Sequence, residues 1–192
     1  MKLGVLALQG DFLEHQQILD RMAVDSCQVR TAAELIGLNG LIIPGGESTV
    51  IGKLAQDFEL LEPLRIFAQA HAVWGTCAGS IFLSKDARCE QPLLDLMDIT
   101  VARNAFGRQV DSFEIDLDIP VLKTASGENP PFHAIFIRAP LIKSVGKGAQ
   151  ILSTLPDGRV VAARQGHWLA TVFHPELTDD NRLHLYFLEM AQ

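Results

Sequence analysis

Nearly continuous apolar runs alternate with helical patterns through the first half of the chain. Residues 3–8 read as a strand buried on both faces. Residues 11–22 follow, with Phe12, His15, Leu19 and Met22 on one helical stripe. Gln28-Val29-Arg30 reads as a short strand, and residues 40–43 as another buried run, stopped by Pro44-Gly45-Gly46. The spacing predicts helices over 49–56, 60–70 and 78–83, with a strand over 72–75. Strand followed by helix, repeated, is the rhythm of a parallel sheet covered on both faces.

The second half changes character. Alternating or β-branched stretches occupy residues 98–101, 112–119, 132–137, 150–152, 159–163 and 168–173. Pro156-Asp157-Gly158 predicts a turn between two antiparallel strands. Leu183, Tyr186, Phe187 and Met190 mark a closing amphipathic helix, and residues 123–131 form the expected mobile loop. No repeat or linker interrupts the pattern. It predicts one domain over residues 1–192, an α/β three-layer sandwich around a central, mostly parallel mixed sheet.

Composition narrows the function. With 192 residues, 48% of them hydrophobic, the chain can bury one sizeable core without splitting. A net charge of -7 argues against nucleic acid as a partner, since duplex binding needs a positive face. No stretch of about 18 apolar residues occurs, so no membrane span is expected. The apolar start ends at Gln9 and Asp11, too early for a signal peptide. Cys27, Cys77 and Cys89 are odd in number and form no C-x-x-C pair, so neither a disulfide framework nor a zinc knuckle is suggested. A reducing cytoplasm fits.

Three segments carry chemistry. Gly75-Thr76-Cys77-Ala78-Gly79, between an apolar strand and a helix, is the cysteine form of the nucleophile elbow. A strand turning at once into a helix crowds the positions two residues either side of the nucleophile, and glycine relieves that crowding. The positive end of the helix favours a thiolate, and the Ala78 N–H can stabilise an oxyanion. His174-Pro175-Glu176 follows the strand predicted over 168–173. Proline keeps His174 extended, which would put the imidazole and carboxylate on one side of the chain. A carboxylate on one ring nitrogen fixes the tautomer and leaves the other for a sulfur. Pro44-Gly45-Gly46-Glu47-Ser48-Thr49 ends a strand, where glycines let backbone approach a ligand. Each segment also has a plain reading: a buried thiol, a surface turn, and a strand–helix turn with Glu47 in the first helical turn and a Ser48 cap.

Six segments in order, residues 4–10, 44–49, 75–79, 103–109, 136–140 and 174–178, resemble the glutaminase subunits of two-subunit pyridoxal phosphate synthases. These belong to the triad-type, class I glutamine amidotransferases with a flavodoxin-like sheet. The elbow and the His-Pro-Glu segment are common to all triad amidotransferases. The Gly-Gly-Glu-Ser-Thr loop and Arg103-Asn104-Ala105-Phe106-Gly107-Arg108-Gln109 are far more specific. The resemblance implies Cys77 as nucleophile, His174 as base and acid, and Glu176 as the group that orients it. It implies an oxyanion hole from the N–H groups of Gly46 and Ala78. Glu47 and Ser48 would hold the amino-acid end of L-glutamine, with Arg103, Ile137 and Arg138 completing the pocket. No cofactor is implied. The implied partner is a synthase subunit that accepts ammonia to build pyridoxal 5'-phosphate (vitamin B6) and stimulates the glutaminase. Chemistry agrees: most free ammonia protonates near neutral pH, and a chain this small has no room for an acceptor domain.

Two positions depart from the family pattern: Ser80, where a larger apolar residue is expected, and His167-Trp168. His15, His71, His133, His167 and His184 show no metal-ligand spacing. By the resemblance, His15 lies where the family meets its partner, an interface candidate. Cys27 and Cys89 read as inert thiols, and Asp116 and Asp118 as one solvated strand face. Rival readings are a glutaminase serving another synthase, a cysteine peptidase on a related fold, and a regulatory partner without catalysis.

Overall fold

Buried apolar runs set the order of elements along the chain. The structure, a computed structural model, describes residues 1–103, 112–123 and 127–192. These form β1 (Lys2–Leu6), α1 (Phe12–Arg21), β2 (Asp25–Val29), β3 (Gly40–Ile43), α2 (Ser48–Asp57), α3 (Leu61–Ala70), β4 (Ala72–Thr76) and α4 (Ala78–Leu83). There follow β5 (Ser84–Asp86), β6 (Met97–Ala102), β7 (Ser112–Leu117), β8 (Phe132–Ile137), β9 (Leu141–Val145), β10 (Gln150–Thr154), β11 (Val160–Gln165), β12 (Trp168–Thr171) and α5 (Arg182–Met190). No helix among the described residues is long and apolar enough to cross a membrane.

Among the described residues the main sheet runs β2-β1-β3-β4-β12-β11-β9-β6-β5, with β10 also paired to β11. From β2 to β12 every pairing is parallel. From β12 to β6 the pairings are antiparallel. The sheet is therefore mixed, with its parallel half built from the strand–helix repeats of the first 76 residues plus β12. The chain steps from β1 outward to β2, but from β3 inward to β4. Right-handed crossovers then put α1 on one face and α2 and α3 on the other, which makes three layers.

The expected turn at Pro156-Asp157-Gly158 joins β10 to β11, an antiparallel pair. Asp116 and Asp118 are both exposed, as their alternation predicts. Two strands escape the pattern reading. β5 has three residues, too few to carry a period. β9 has only Leu141 and Ile142 buried before Lys143 and Ser144 turn to solvent. The strand predicted over 168–173 ends at Thr171, where the chain bends at Val172 and Phe173, although the Val172 N–H still donates to the Val161 carbonyl of β11 at 3.0 Å. Residues 124–126 of the loop expected to be mobile lie outside the described residues. The far end of that loop is fastened, since the Arg182 guanidinium donates to the carbonyls of Pro130 and Pro131 at 2.7 and 3.1 Å.

Beneath α1 and α5 the core turns polar. Trp74 is fully buried and lies edge-on to His15 and His184, with ring centroids 5.7 and 4.9 Å away. Its indole N–H donates to Thr171 Oγ1 at 3.1 Å. His15 Nδ1 and His184 Nε2 meet at 3.1 Å, tying α1 to α5. Both rings are fully buried. Burial, then the charges of His184 and His174, holds His15 well below the ordinary imidazole value. Burial, then the charge of Arg21, pulls His184 down to about 3.

The elbow is as crowded as its glycines suggest. A Cβ on Gly79 would lie 2.0 Å from the carbonyl oxygen of Ile43, and one on Gly75 would lie 2.5 Å from the Gly79 backbone. No side chain fits between α4 and the ends of β3 and β4.

Two expectations follow from this packing. The unfolded chain binds protons on His15 and His184 below an ordinary value near 6.5, where the folded chain cannot. Stability should therefore fall as pH drops from 6.5, by up to about 1.4 kcal/mol per unit per histidine. Urea unfolding at pH 7 and pH 5 should lose less for His184→Gln than for the native chain, and equal losses would refute the assignment. Gly79→Ala should be destabilised by about 3 kcal/mol or more, since the clash is with backbone. Gly148→Ala, where a Cβ meets nothing closer than 3.6 Å, should stay near native stability.

Candidate active site

Four adjacent parallel strands, β1, β3, β4 and β12, end along one edge of the sheet, where open α/β folds place their ligands. Thr76 pairs with Thr171, so the chain leaves β4 and β12 side by side. Cys77 is the next residue after β4. Its backbone has φ 45° and ψ −108°, a left-handed conformation strained for a residue with a Cβ. Its N–H donates to the Thr171 carbonyl at 2.8 Å, which fixes the turn. His174 follows β12 by three residues, and its N–H donates to the Ile135 carbonyl of β8 at 2.8 Å. Cys77 and His174 line the same cavity.

His174 Nδ1 and Glu176 Oε1 are 2.7 Å apart. The expected extended dipeptide is not what joins them. Residues Pro175–Leu177 form a 3-10 turn, which folds the carboxylate back beneath the ring. Both side chains are almost wholly buried. Burial lowers the pKa of His174, but hydrogen bonding and charge from Cys77 and Glu176 outweigh it and push it up to about 11. Both neighbours therefore favour the charged form of the imidazole. Burial pushes the Glu176 carboxyl up, and the bond and charge of His174 oppose that rise. Asp11, His174 and Glu176 bring donor atoms within 4.8 Å of one another, a spacing that could suit a metal. The close His174–Glu176 bond already uses two of those atoms.

The cavity measures about 380 Å³. Gly46, Glu47, Ser48, Cys77, Ala78, Arg103, Ile137, Arg138 and His174 all line it, and Glu176 alone of the sequence candidates stands behind the wall. Glu47 is the residue before α2 rather than part of its first turn, with extended backbone. Its Oε1 accepts from Arg103 at 2.5 Å and from Thr49 Oγ1 at 3.0 Å. Ser48 is the first helical residue, and its hydroxyl reaches Gln91 at 3.2 Å instead of capping α2. Gly45 is needed by its neighbour: a Cβ there would lie 2.6 Å from His174 Cε1. Of the segment 103–109, Arg103 is described, and residues 104–109 lie outside the described residues.

Sequence reasoning passed over several residues of this edge. Gln9 lines the cavity, and its Oε1 accepts the Glu47 N–H at 2.6 Å. Asp11 lies 3.6 Å from His174 Nδ1. The signal was present, because Gln9 and Gly10 belong to the first shared segment. His15, an interface candidate from the sequence, is fully buried and faces the Glu176 side of the triad. Its place on the apolar stripe of α1, with Phe12 and Leu19, is the reason. The two departures are absorbed by hydrogen bonds. Ser80 donates its hydroxyl to the Cys77 carbonyl at 2.6 Å, and His167 and Trp168 both reach the Ala68 carbonyl, at 2.7 and 2.9 Å.

Comparison with known proteins shows the family. A pyridoxal 5'-phosphate synthase subunit PdxT from Herpetosiphon aurantiacus is 56% identical over 193 residues, covering 98% of this chain and 99% of that one. The same-named subunit from Moorella thermoacetica is 55% identical over 192 residues, covering 99% of each. A crystal structure of a glutamine amidotransferase superposes with a TM-score of 0.91 at 48% identity, covering 98% of both chains. The SNO glutamine amidotransferase family matches residues 5–192. With residues 5–192 matched and relatives more than half identical over nearly the whole chain, the chain belongs to the SNO glutamine amidotransferase family.

Proposed function

We propose that this chain is the glutaminase subunit of a pyridoxal 5'-phosphate synthase, hydrolysing L-glutamine to L-glutamate and passing ammonia to a synthase subunit. The observation that carries the reading is one cavity holding Cys77 and His174, with Glu176 bonded to the far side of the imidazole. The relatives' names supply the pathway.

The Cys77 thiolate, its proton held on His174, attacks the side-chain amide carbon, and a carbon–sulfur bond forms as the carbonyl π bond opens to an oxyanion. The oxyanion is held by the N–H groups of Gly46 and Ala78, whose residues line the same cavity as Cys77. His174, already protonated, gives its proton to the amide nitrogen as the carbon–nitrogen bond breaks. Ammonia leaves and a thioester remains. Water, deprotonated by His174, then attacks the thioester carbon, the carbon–sulfur bond breaks to return the Cys77 thiolate, and glutamate departs. Glu176 supports the imidazolium throughout. The Glu47–Arg103 pair parts to receive the head group, Glu47 and Ser48 taking the ammonium end and Arg103 and Arg138 the carboxylate. Ile137 packs the methylene chain.

The mixed charge of the cavity favours a free amino acid over an extended peptide, which has no ammonium and carboxylate on one carbon. Relatives matched over 99% of their own length are named as subunits of a pyridoxal 5'-phosphate synthase, which favours ammonia transfer to a docked partner.

Glutamate release should rise when a pyridoxal 5'-phosphate synthase subunit is added, and Cys77→Ala should be inert with or without it. No stimulation would sink the partner assignment, and turnover by Cys77→Ala would sink the mechanism. Glu47→Gln, which removes the charge facing the ammonium, should raise KM for glutamine by roughly tenfold or more with kcat little changed. A fall confined to kcat would remove Glu47 from substrate binding.

A further inference from the structure

The buried carboxylate of Glu176 uses only one of its oxygens on His174. The other, Oε2, is inaccessible and lacks a hydrogen bond of good geometry. An unmet carboxylate oxygen in the interior is costly, and the group that stands by it is therefore informative. That group is His15, whose Nε2 lies 3.4 Å from Oε2 and 3.2 Å from Thr76 Oγ1. Behind it, His15 Nδ1 meets His184 Nε2 at 3.1 Å, while His184 Nδ1 has no hydrogen-bond partner.

Only two arrangements of protons suit two neutral rings. In one, His184 Nε2–H donates to His15 Nδ1, and His15 Nε2–H donates to Thr76 Oγ1 with the Glu176 carboxylate beside it. The single unmet atom is then an acceptor lone pair on His184 Nδ1. In the other, His15 Nδ1–H donates to His184, a bare lone pair on His15 faces the Glu176 carboxylate, and an N–H on His184 is stranded. The second sets two electron-rich atoms together and leaves a buried donor unmet, so the first is favoured.

We propose that His15, backed by His184, is a positioning residue for the glutaminase reaction, its Nε2–H holding the second oxygen of Glu176 and so fixing the plane of the carboxylate against His174. The proposal rests on the catalytic reading of Cys77, His174 and Glu176 given above. Its neutral state, enforced by burial, suits the role. A charged ring here would draw the carboxylate away from His174, whereas a neutral N–H holds the carboxylate and leaves its charge to the imidazolium. The contact is long for a hydrogen bond because the same N–H is shared with Thr76 Oγ1.

The test is glutamine turnover by the complex with the synthase subunit, for the native chain, His15→Phe and His15→Gln. Phenylalanine keeps the bulk without the donor. Glutamine reaches an N–H about as far as Nε2. His15→Phe should lower kcat by roughly 10- to 100-fold, the weight of a hydrogen bond to a charged group, with little change in KM. His15→Gln should recover most of that loss. Turnover in His15→Phe close to native, or equal loss in both variants, would overturn the proposal in favour of plain packing. An inactive native complex would instead overturn the glutaminase reading. A second measurement needs no turnover and no folded His15→Phe. Nitrogen-15 NMR of the native chain near neutral pH, with His15 identified by its loss in His15→Gln, should show a neutral ring protonated at Nε2. A proton on Nδ1, or a charged ring, would overturn the proposal.

Discussion

The pairing of β4 with β12 is the constraint on which the site depends. These strands are separated by nearly a hundred residues, yet they lie side by side in parallel with Thr76 opposite Thr171. That register puts Cys77 and the turn that carries His174 at the same edge, and the Cys77 N–H seals it by bonding the Thr171 carbonyl. A shift by one residue would turn Trp74 out of the core and move the sulfur away from the imidazole. The core holds the register from below through the bond from Trp74 to Thr171 Oγ1. Packing and chemistry therefore share a single pair of strands.

From that pair the charges follow by burial. Glu176 is driven toward its neutral form by desolvation, and only its contact with His174 draws it back. His174 is drawn the other way, toward its charged form, by Cys77 and Glu176 together. The two shifts describe one shared interaction among Cys77, His174 and Glu176, which favours a proton on the imidazole. The histidines behind are kept neutral by the same dryness. Going inward from the cavity, the groups alternate in what burial asks of them. This polar seam costs stability at low pH and is retained where the proposed chemistry needs a fixed carboxylate.

The wall of the cavity is built differently, from strand ends and loops that meet only in three dimensions. Glu47 precedes α2, Arg103 follows β6, and Arg138 follows β8. Their charges partly neutralise one another across the cavity through the Glu47–Arg103 pair. Backbone strain at Cys77 and Arg138, both at positive φ, marks the same rim. Strain of about 1–3 kcal/mol per residue persists only where the surroundings impose it, and here the crowded elbow at Gly75 and Gly79 does so.

Local periodicity was enough to read most elements from the sequence. The run 40–43 and the helix 78–83 agree with the structure residue for residue, because each is bounded by glycine, proline or the elbow and has a single apolar solution. The elbow glycines and the segments containing Cys77, His174 and Glu176 were legible for the same reason: each is a local steric or chemical signature. Sequence could not show β5 and β9, whose few buried residues carry no period. Nor could it show that a 3-10 turn, rather than extended chain, brings Glu176 under His174. The role of His15 was the furthest out of reach. Its place on an apolar stripe foretold burial, but the groups it would meet there lie on β4, on the turn after β12 and on α5. Burial is decided by a residue's own helix, whereas hydrogen-bond partners are decided by whichever elements the sheet order stacks against it, and that order exists only in the folded chain.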